Sequence, residues 1–334
     1  MRCPGFRKIA LFTAVALTAA VASACSSSSS TATTSSAGSG PELKNITVPA
    51  LEIPDAITLL IAQDEGFFKQ QGLNVKIQTM AASDNIVPQL ISNQYGITSE
   101  NYVGMFYEEA QTPALKLRVI ADDLQAAPNV FDLVVPKGSD ITSVAGLKGK
   151  TVAFPGIGAS IGTLSMDALL NSYNLSPTSY KAIPVPFPDM PAEMAQHKFD
   201  AAWVTEPFIT IMEAAGAHPL ADVMTGPMQN FPISCWAATA YYVQHYPKTV
   251  AAFQRAIVEA QQVAATNQSL VRKLLPSYIQ GLTPQIANVM GLGTFNTTLS
   301  LTRVERVADV MEQYNLLPKN FDVKSQLLPL PSGS

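Results

Sequence analysis

Strand-like and helix-like segments take turns along this 334-residue chain from Asn45 onward, and that alternation limits the folds open to it. Residues 45–49 read as a strand and 55–71 as a helix, with Asp55 as N-cap, Leu59, Ala62 and Gly66 at helical spacing, and Gly72 closing it. Strand 75–79, helix 86–91, short strand 97–99, helix 102–111 and strand 117–121 follow. Successive strand–helix–strand units with short links imply a mainly parallel sheet wound by right-handed crossovers, which is the α/β class.

A second series begins at 131–136 and continues through strand 151–154, helix 161–174, strand 180–185, helix 191–197, strand 200–204 and helix 207–215. After a strand candidate at 234–243 the pattern turns helical, over 249–266, 268–278, 284–290 and 302–314. The change of rhythm reads as one βα lobe, a second inserted lobe, and a helical return that completes the first. Close to 290 residues are enough for two such lobes.

The segment ahead of this body is built for export. Arg2, Arg7 and Lys8 lead into an apolar stretch over 9–21, too short to span a membrane, and Ala22-Ser23-Ala24-Cys25 follows at once. Residues 1–24 therefore read as a signal peptide. The tetrapeptide resembles a bacterial lipobox, although Ala22 stands where leucine is commonest, so Cys25 is expected to be the lipid-bearing first residue of the mature chain. Residues 25–41 are Ser/Thr-rich with little to bury and form a flexible tether.

The chain has 21 Lys and Arg against 25 Asp and Glu, and removal of the signal takes away three basic residues and no acid. Nothing in that balance points to a nucleic-acid partner. With Cys3 removed and Cys25 lipidated, Cys235 has no partner for an internal disulfide, so the core must hold the fold. His197, His218 and His245 are scattered and no metal-ligand spacing occurs, so no metal or cofactor is expected. The paired acids Glu108-Glu109 and Asp122-Asp123 read as solvated faces, and the methionines as core filler.

The most suggestive local sequence is Thr151-Val-Ala-Phe-Pro-Gly-Ile-Gly-Ala-Ser-Ile-Gly162, a strand, a small-residue turn and a helix start. Such a turn presents free NH groups and the positive end of the helix dipole. Ser160 is either a cap or a ligand contact. Gly158-Ala-Ser160-Ile-Gly162 also matches the G-x-S-x-G nucleophile elbow, which makes a secreted serine hydrolase the alternative, but no histidine lies in a loop suited to a triad. The glycines 156, 158 and 162 miss the dinucleotide spacing, and Gly149-Lys-Thr151 opens a strand rather than a helix.

Four further pieces carry a resemblance. Ile53-Pro-Asp-Ala56 with Glu65-Gly-Phe-Phe-Lys-Gln-Gln-Gly-Leu-Asn-Val75, then Ala145-Gly-Leu-Lys-Gly-Lys-Thr-Val-Ala153, Lys198-Phe-Asp-Ala-Ala-Trp-Val-Thr-Glu-Pro207 and Tyr246-Pro-Lys-Thr-Val-Ala-Ala-Phe253 resemble, in order, the solute-binding proteins of ABC importers in the nitrate/sulfonate/taurine and thiamine-precursor branch. One stretch departs from that pattern: Gln94-Tyr-Gly-Ile-Thr-Ser-Glu-Asn-Tyr102 lacks the usual aspartate.

The resemblance implies a two-lobed periplasmic-binding-protein-like (type II) fold, with lobe 1 formed by 42–134 and 237–334, lobe 2 by 135–236, and crossovers near Val134–Pro136 and Trp236–Ala238. It implies a monomer without catalysis, lipid-anchored at the outer face of the cytoplasmic membrane, whose partners are a small-molecule ligand and an ABC permease. The cleft would be lined by Pro54 and Asp55, then Ser99, Asn101 and Tyr102, then Gly158, Ala159, Ser160 and Ile161, and finally Trp203, Thr205 and Glu206. Tyr102 and Trp203 would stack on a flat ligand, and Asp55 and Glu206 would accept hydrogen bonds from an amine, with helix capping as the other reading of Asp55 and lobe-core packing that of Trp203. A pyrimidine-processing enzyme of the thiamine-precursor fold is a third reading, disfavoured by export.

No arginine lies between Arg118 and Arg255, so the inserted lobe lacks the usual fork for an oxyanion. A neutral or zwitterionic ligand with an NH donor, aminopyrimidine-like or taurine-like, is expected over bare nitrate. If Cys25 carries the anchor, Cys25→Ser moves the protein from the membrane pellet to the soluble fraction; a variant that still pellets with membranes contradicts the anchoring.

Overall fold

The computed structural model describes residues 40–80, 86–112 and 116–332. The signal segment, Cys25 and nearly all of the tether lie outside them. The first series gives β1 (Asn45–Leu51), β2 (Asn74–Met80), β3 (Ile97–Asn101), β4 (Leu117–Asp122) and the two-residue β5 (Leu124–Gln125). The inserted series gives β6 (Phe131–Val135), β7 (Thr151–Phe154), β8 (Lys181–Pro184), β9 (Ala201–Thr205) and β10 (His218–Asp222), and the return gives β11 (Ser234–Thr239) and β12 (Thr294–Phe295).

In lobe 1, β1 pairs in parallel with β2, Asn45 opposite Asn74 and Leu51 opposite Met80. Next to them β3 lies against β1, with Thr98 Oγ1 donating to the carbonyl of Pro49 at 3.4 Å, and β11 runs antiparallel between β3 and β4. In lobe 2 the strand order is β10-β6-β9-β7-β8, with β7 parallel to β8 and β9 and with β6 antiparallel to β9 and β10. The antiparallel members β6 and β11 are the strands that follow each passage from one lobe to the other, so each enters its sheet against the direction of the βα winding.

These strands move the joints. Val134–Pro136 and Trp236–Ala238, expected as crossovers, begin inside β6 and fall within β11, and the passages are 123–130 and 223–233. The two passages run side by side: Ile233 N donates to Leu124 O at 2.8 Å, Ala126 N to Phe231 O at 2.9 Å, and Gln125 bridges Pro232. On the other side of β5 lies β12, so a segment of the C-terminal return is hydrogen-bonded into the joint.

Three local expectations change. The helix expected over 55–71 is a 3-10 turn Pro54–Ala56, helix Ile57–Asp64 and helix Phe67–Gln70, broken at Gly66, whose φ of 76° is left-handed and open to glycine at little steric cost. The strand expected over 234–243 ends at Thr239, whose hydroxyl accepts from Tyr242 N and caps helix Ala240–His245. β10 was hidden by Pro219; it is an edge strand with a register shift between Pro219 and Ala221, the setting in which a sheet tolerates proline.

The long helix Pro247–Thr266 lies along helix Ile57–Asp64 and buries Phe253, Ala256, Ala260 and Ala264. Phe253 stacks on Phe68 at 5.5 Å and meets the edge of Trp236 at 5.6 Å. Beneath it, Asp122 and Asp123 are fully buried rather than solvated. Arg303 Nε and Nη2 donate to Asp122 Oδ2 at 2.8 and 2.5 Å, and Tyr102 Oη and Asp123 N donate to its Oδ1 at 2.9 and 3.0 Å. Burial raises the pKa of Asp122, and Arg303 and Tyr102 oppose that rise.

Removing the cation alone leaves a buried carboxylate without its main partner, a change that costs about 3 kcal/mol or more. Arg303→Met should therefore lower the unfolding free energy by that order in denaturant titrations, while Glu305→Gln, an exposed site on the same helix, leaves it unchanged.

Candidate functional site

A cavity of about 450 Å³ lies between the two sheets and is walled from both lobes. Lobe 1 contributes Ile53 and Asp55 from the turn after β1, the end of β3 and the adjoining helix face; lobe 2 contributes Phe131, Phe187, the β7 turn and the end of β9. Most of that wall is apolar, as ligand cavities usually are, with a few placed polar groups.

Pro54 opens the 3-10 turn with the φ that proline already has, and it holds the following residue in place. Asp55 does not cap the helix. The residue is 5 % exposed, lines the cavity, and has an Oδ1 without a hydrogen-bond partner. Burial pushes its pKa up to about 6, with Ser234 opposing the rise. Behind it lies Asp123, buried, accepting from Ser234 Oγ at 3.0 Å and Thr58 Oγ1 at 3.4 Å, and its own pKa is raised by burial and by the nearby Asp55.

At the end of β3, Ser99, Glu100 and Asn101 all reach the cavity. Asn101 is the N-cap of helix Tyr102–Gln111, its Oδ1 accepting from Gly104 N at 2.7 Å while its Nδ2 donates to Glu100 Oε1 at 3.1 Å. Gly104, Met105 and Glu108 continue the wall. With Asn101 they occupy positions i, i+3, i+4 and i+7, one face of a helix, and that spacing was present in the sequence unrecognised.

Across the cleft, Gly158, Ala159, Ser160 and Ile161 line the cavity. Ser160 is the N-cap of helix Ile161–Ser172 in a reciprocal pair: its Oγ accepts from Thr163 N at 3.4 Å and its N donates to Thr163 Oγ1 at 3.1 Å. Its φ of −153° and ψ of 171° are ordinary extended backbone, unlike the strained nucleophile of a G-x-S-x-G elbow. Gly162 serves packing, since a Cβ there would stand 3.3 Å from Phe154 and 3.4 Å from Trp203. Among the described residues no histidine lines the cavity.

Of the other expected residues, Thr205 and Trp203 reach the cavity wall from β9, while Tyr102, Glu206 and Pro54 do not line it. Thr205 Oγ1 donates to Val130 O at 3.0 Å. Trp203 is 1 % exposed, donates from Nε1 to Ser165 Oγ at 2.9 Å, and stacks on Phe154 and Phe187, so it is packed into lobe 2 rather than spread as a platform. Tyr102 turns its ring into lobe 1 toward Asp122 and Phe106, because the helix that starts there buries its first residue. Glu206, expected to meet an amine, accepts from Thr210 Oγ1 at 2.8 Å, Thr210 N at 3.2 Å and Gly291 N at 3.0 Å. Three other ring-bearing residues that line the cavity, Tyr107, Phe131 and Phe187, carried no motif.

With this geometry the comparisons with known proteins agree. The sequence model described as NMT1/THI5 like matches residues 53–269. The chain belongs to the NMT1/THI5-like family. The match runs from Ile53, at the cavity, through both passages between lobes, to the end of the long helix. Similar solved structures include the alkanesulfonate-binding protein SsuA from Xanthomonas axonopodis pv. citri bound to MOPS (17% identity, TM-score 0.71, covering 86% of this chain and 99% of that one). The periplasmic nitrate-binding protein NrtA from Synechocystis PCC 6803 is similar at 16% identity and TM-score 0.69, over 86% of this chain and 85% of that one. The desulfurization enzyme DSZB is similar too, at 16% identity and TM-score 0.62, over 86% of this chain and 97% of that one. These likenesses establish the periplasmic-binding-protein fold. No curated protein sequence matches the chain.

The buried Asp55 makes a pH prediction. Its pKa is near 6 when folded against the 3.8 of an ordinary aspartate, so between those values the folded state holds a proton that the unfolded state has lost. Stability contributed by this group is then present below about pH 4 and falls as pH rises toward 6. Asp55→Asn should stabilise the unliganded protein at pH 7 by about 3 kcal/mol and give little gain at pH 4, as read from urea midpoints.

Proposed function

We propose that the protein is the extracytoplasmic solute receptor of an ABC importer, holding a small organic ligand between its lobes and presenting the closed form to a permease. The observation that carries this reading is the cavity walled by both lobes, which are linked by the paired passages at 123–130 and 223–233, with the β12 segment bonded to them. A ligand that touches both walls favours the closed arrangement by the difference in its affinity for the two, which is all that such a receptor requires. Membership of the NMT1/THI5-like family and likeness to proteins named for alkanesulfonate and nitrate binding support it. The expected signal peptide and lipidated Cys25 would keep the receptor beside its permease. Among the described residues no helix is long and apolar enough to cross a membrane.

The likeness to the desulfurization enzyme DSZB keeps catalysis on this fold as the competing reading. Against serine hydrolysis stand the unstrained, capping Ser160 and the absence of histidine from the described cavity wall.

The test is small-angle X-ray scattering on the purified protein before and after addition of the small molecules that mass spectrometry identifies in its denatured extract. A decrease in radius of gyration, a rise in melting temperature and unchanged ligand after prolonged incubation are expected. Labelling of Ser160 by a fluorophosphonate, or consumption of the ligand, would overturn the receptor reading in favour of an enzyme.

A further inference from the structure

The charges around the cavity are one-sided. Three carboxylates line it, Asp55, Glu100 and Glu108, all on lobe 1, and no lysine or arginine appears among the described lining residues. The stretches 81–85 and 113–115 contain no basic residue either. Opposite them, among the described lining residues, the positive element is the start of helix Ile161–Ser172, equivalent to about half an elementary charge. Ser160 N and Thr163 N at that start already bond to each other's side chains.

Among the three, Asp55 is the buried one, with Oδ1 left without a partner. Its surroundings add a second carboxylate, Asp123, instead of a cation. The cation that this part of the fold does possess, Arg303, is spent on Asp122 and on the carbonyl of Thr298. A buried carboxylate beside an acidic wall is unfavourable unless something brings donors to it. An oxyanion ligand would bring further acceptors.

We infer that the ligand carries a cationic nitrogen, an ammonium or amidinium, which seats on the lobe 1 wall formed by Asp55, Glu100 and Glu108, with its apolar part against Phe131, Phe187 and Met105. This inference rests on the receptor reading and adds the chemistry of the solute. A protonated amine supplies two or three N–H donors to carboxylates, in charge-assisted bonds of the strong kind. Aromatic rings opposite tolerate a cation as well as an apolar group. The ligand is then set apart from bare nitrate or an amine-free sulfonate, in accord with the missing arginine fork in lobe 2.

The test uses pairs that differ in the cationic nitrogen: benzamidine against benzoate, and taurine against ethanesulfonate, by isothermal titration calorimetry on the full mature chain. The nitrogen-bearing member should bind at least tenfold more tightly in each pair, and Asp55→Asn combined with Glu108→Gln should erase that preference, while Glu305→Gln retains it. The double variant's own stability, read from thermal melting, separates loss of binding from loss of fold. Equal or tighter binding of benzoate or ethanesulfonate, or no binding by either nitrogen-bearing compound, overturns the inference. Compaction on binding of the anions would break the charge assignment and leave the receptor standing. Amine binding without compaction in X-ray scattering would do the reverse.

Discussion

Asp122 is the carboxylate on which lobe 1 converges. It ends β4, where a strand carrying the chain out of the lobe must stop without exposing its last groups, and its two oxygens are bonded from three directions by Arg303, Tyr102 and the next backbone NH. Its carbonyl is taken by the side chain of Gln261, from the long helix. Helix Tyr102–Gln111, helix Pro247–Thr266 and helix Leu301–Gln313, far apart in sequence, are therefore fixed to one strand end. The neighbouring Asp123 carries the same arrangement to the joint and, through Ser234, to the cavity. Position of the cavity floor thus follows from how a buried charge is answered.

Asp55 is the exception in this scheme, and the difference is informative. Asp122 has a guanidinium and two donors; Asp55, as close to the interior, has an oxygen with none. A residue that costs stability in the folded chain and faces a cavity is the pattern in which function and stability pull apart. The same side chain that would be better replaced by an amide for folding is the one positioned to meet a solute.

Much of the fold was legible because the chain's periodicities are clean: helices at 86–91 and 102–111 and strand 151–154 fall where the apolar spacing put them. The joints were displaced because β6 and β11 look like any other strand in sequence, and only pairing tells which sheet each joins. The residues named from the sequence that reach the cavity lie at strand ends and the turns after them, as do Asp55, Ser99 and Ser160. They were misjudged where the side chain's direction decides: Tyr102 and Glu206 stand next to cavity residues and turn inward, to Asp122 and to Thr210 with Gly291. Phe131 and Phe187 gave no signal because an aromatic at a strand or loop end reads as core until the opposite lobe is in view.

The joint between the lobes is a ribbon of three segments, 123–126, 231–233 and β12, held by backbone hydrogen bonds. A ribbon of this kind keeps its ladder when twisted and loses it when its members are pulled apart, since paired strands have twist as their soft coordinate. Any turn of one lobe against the other would therefore be felt along the ribbon's whole length, and β12 together with the Gly291–Glu206 bond makes the C-terminal return a keel that touches both lobes.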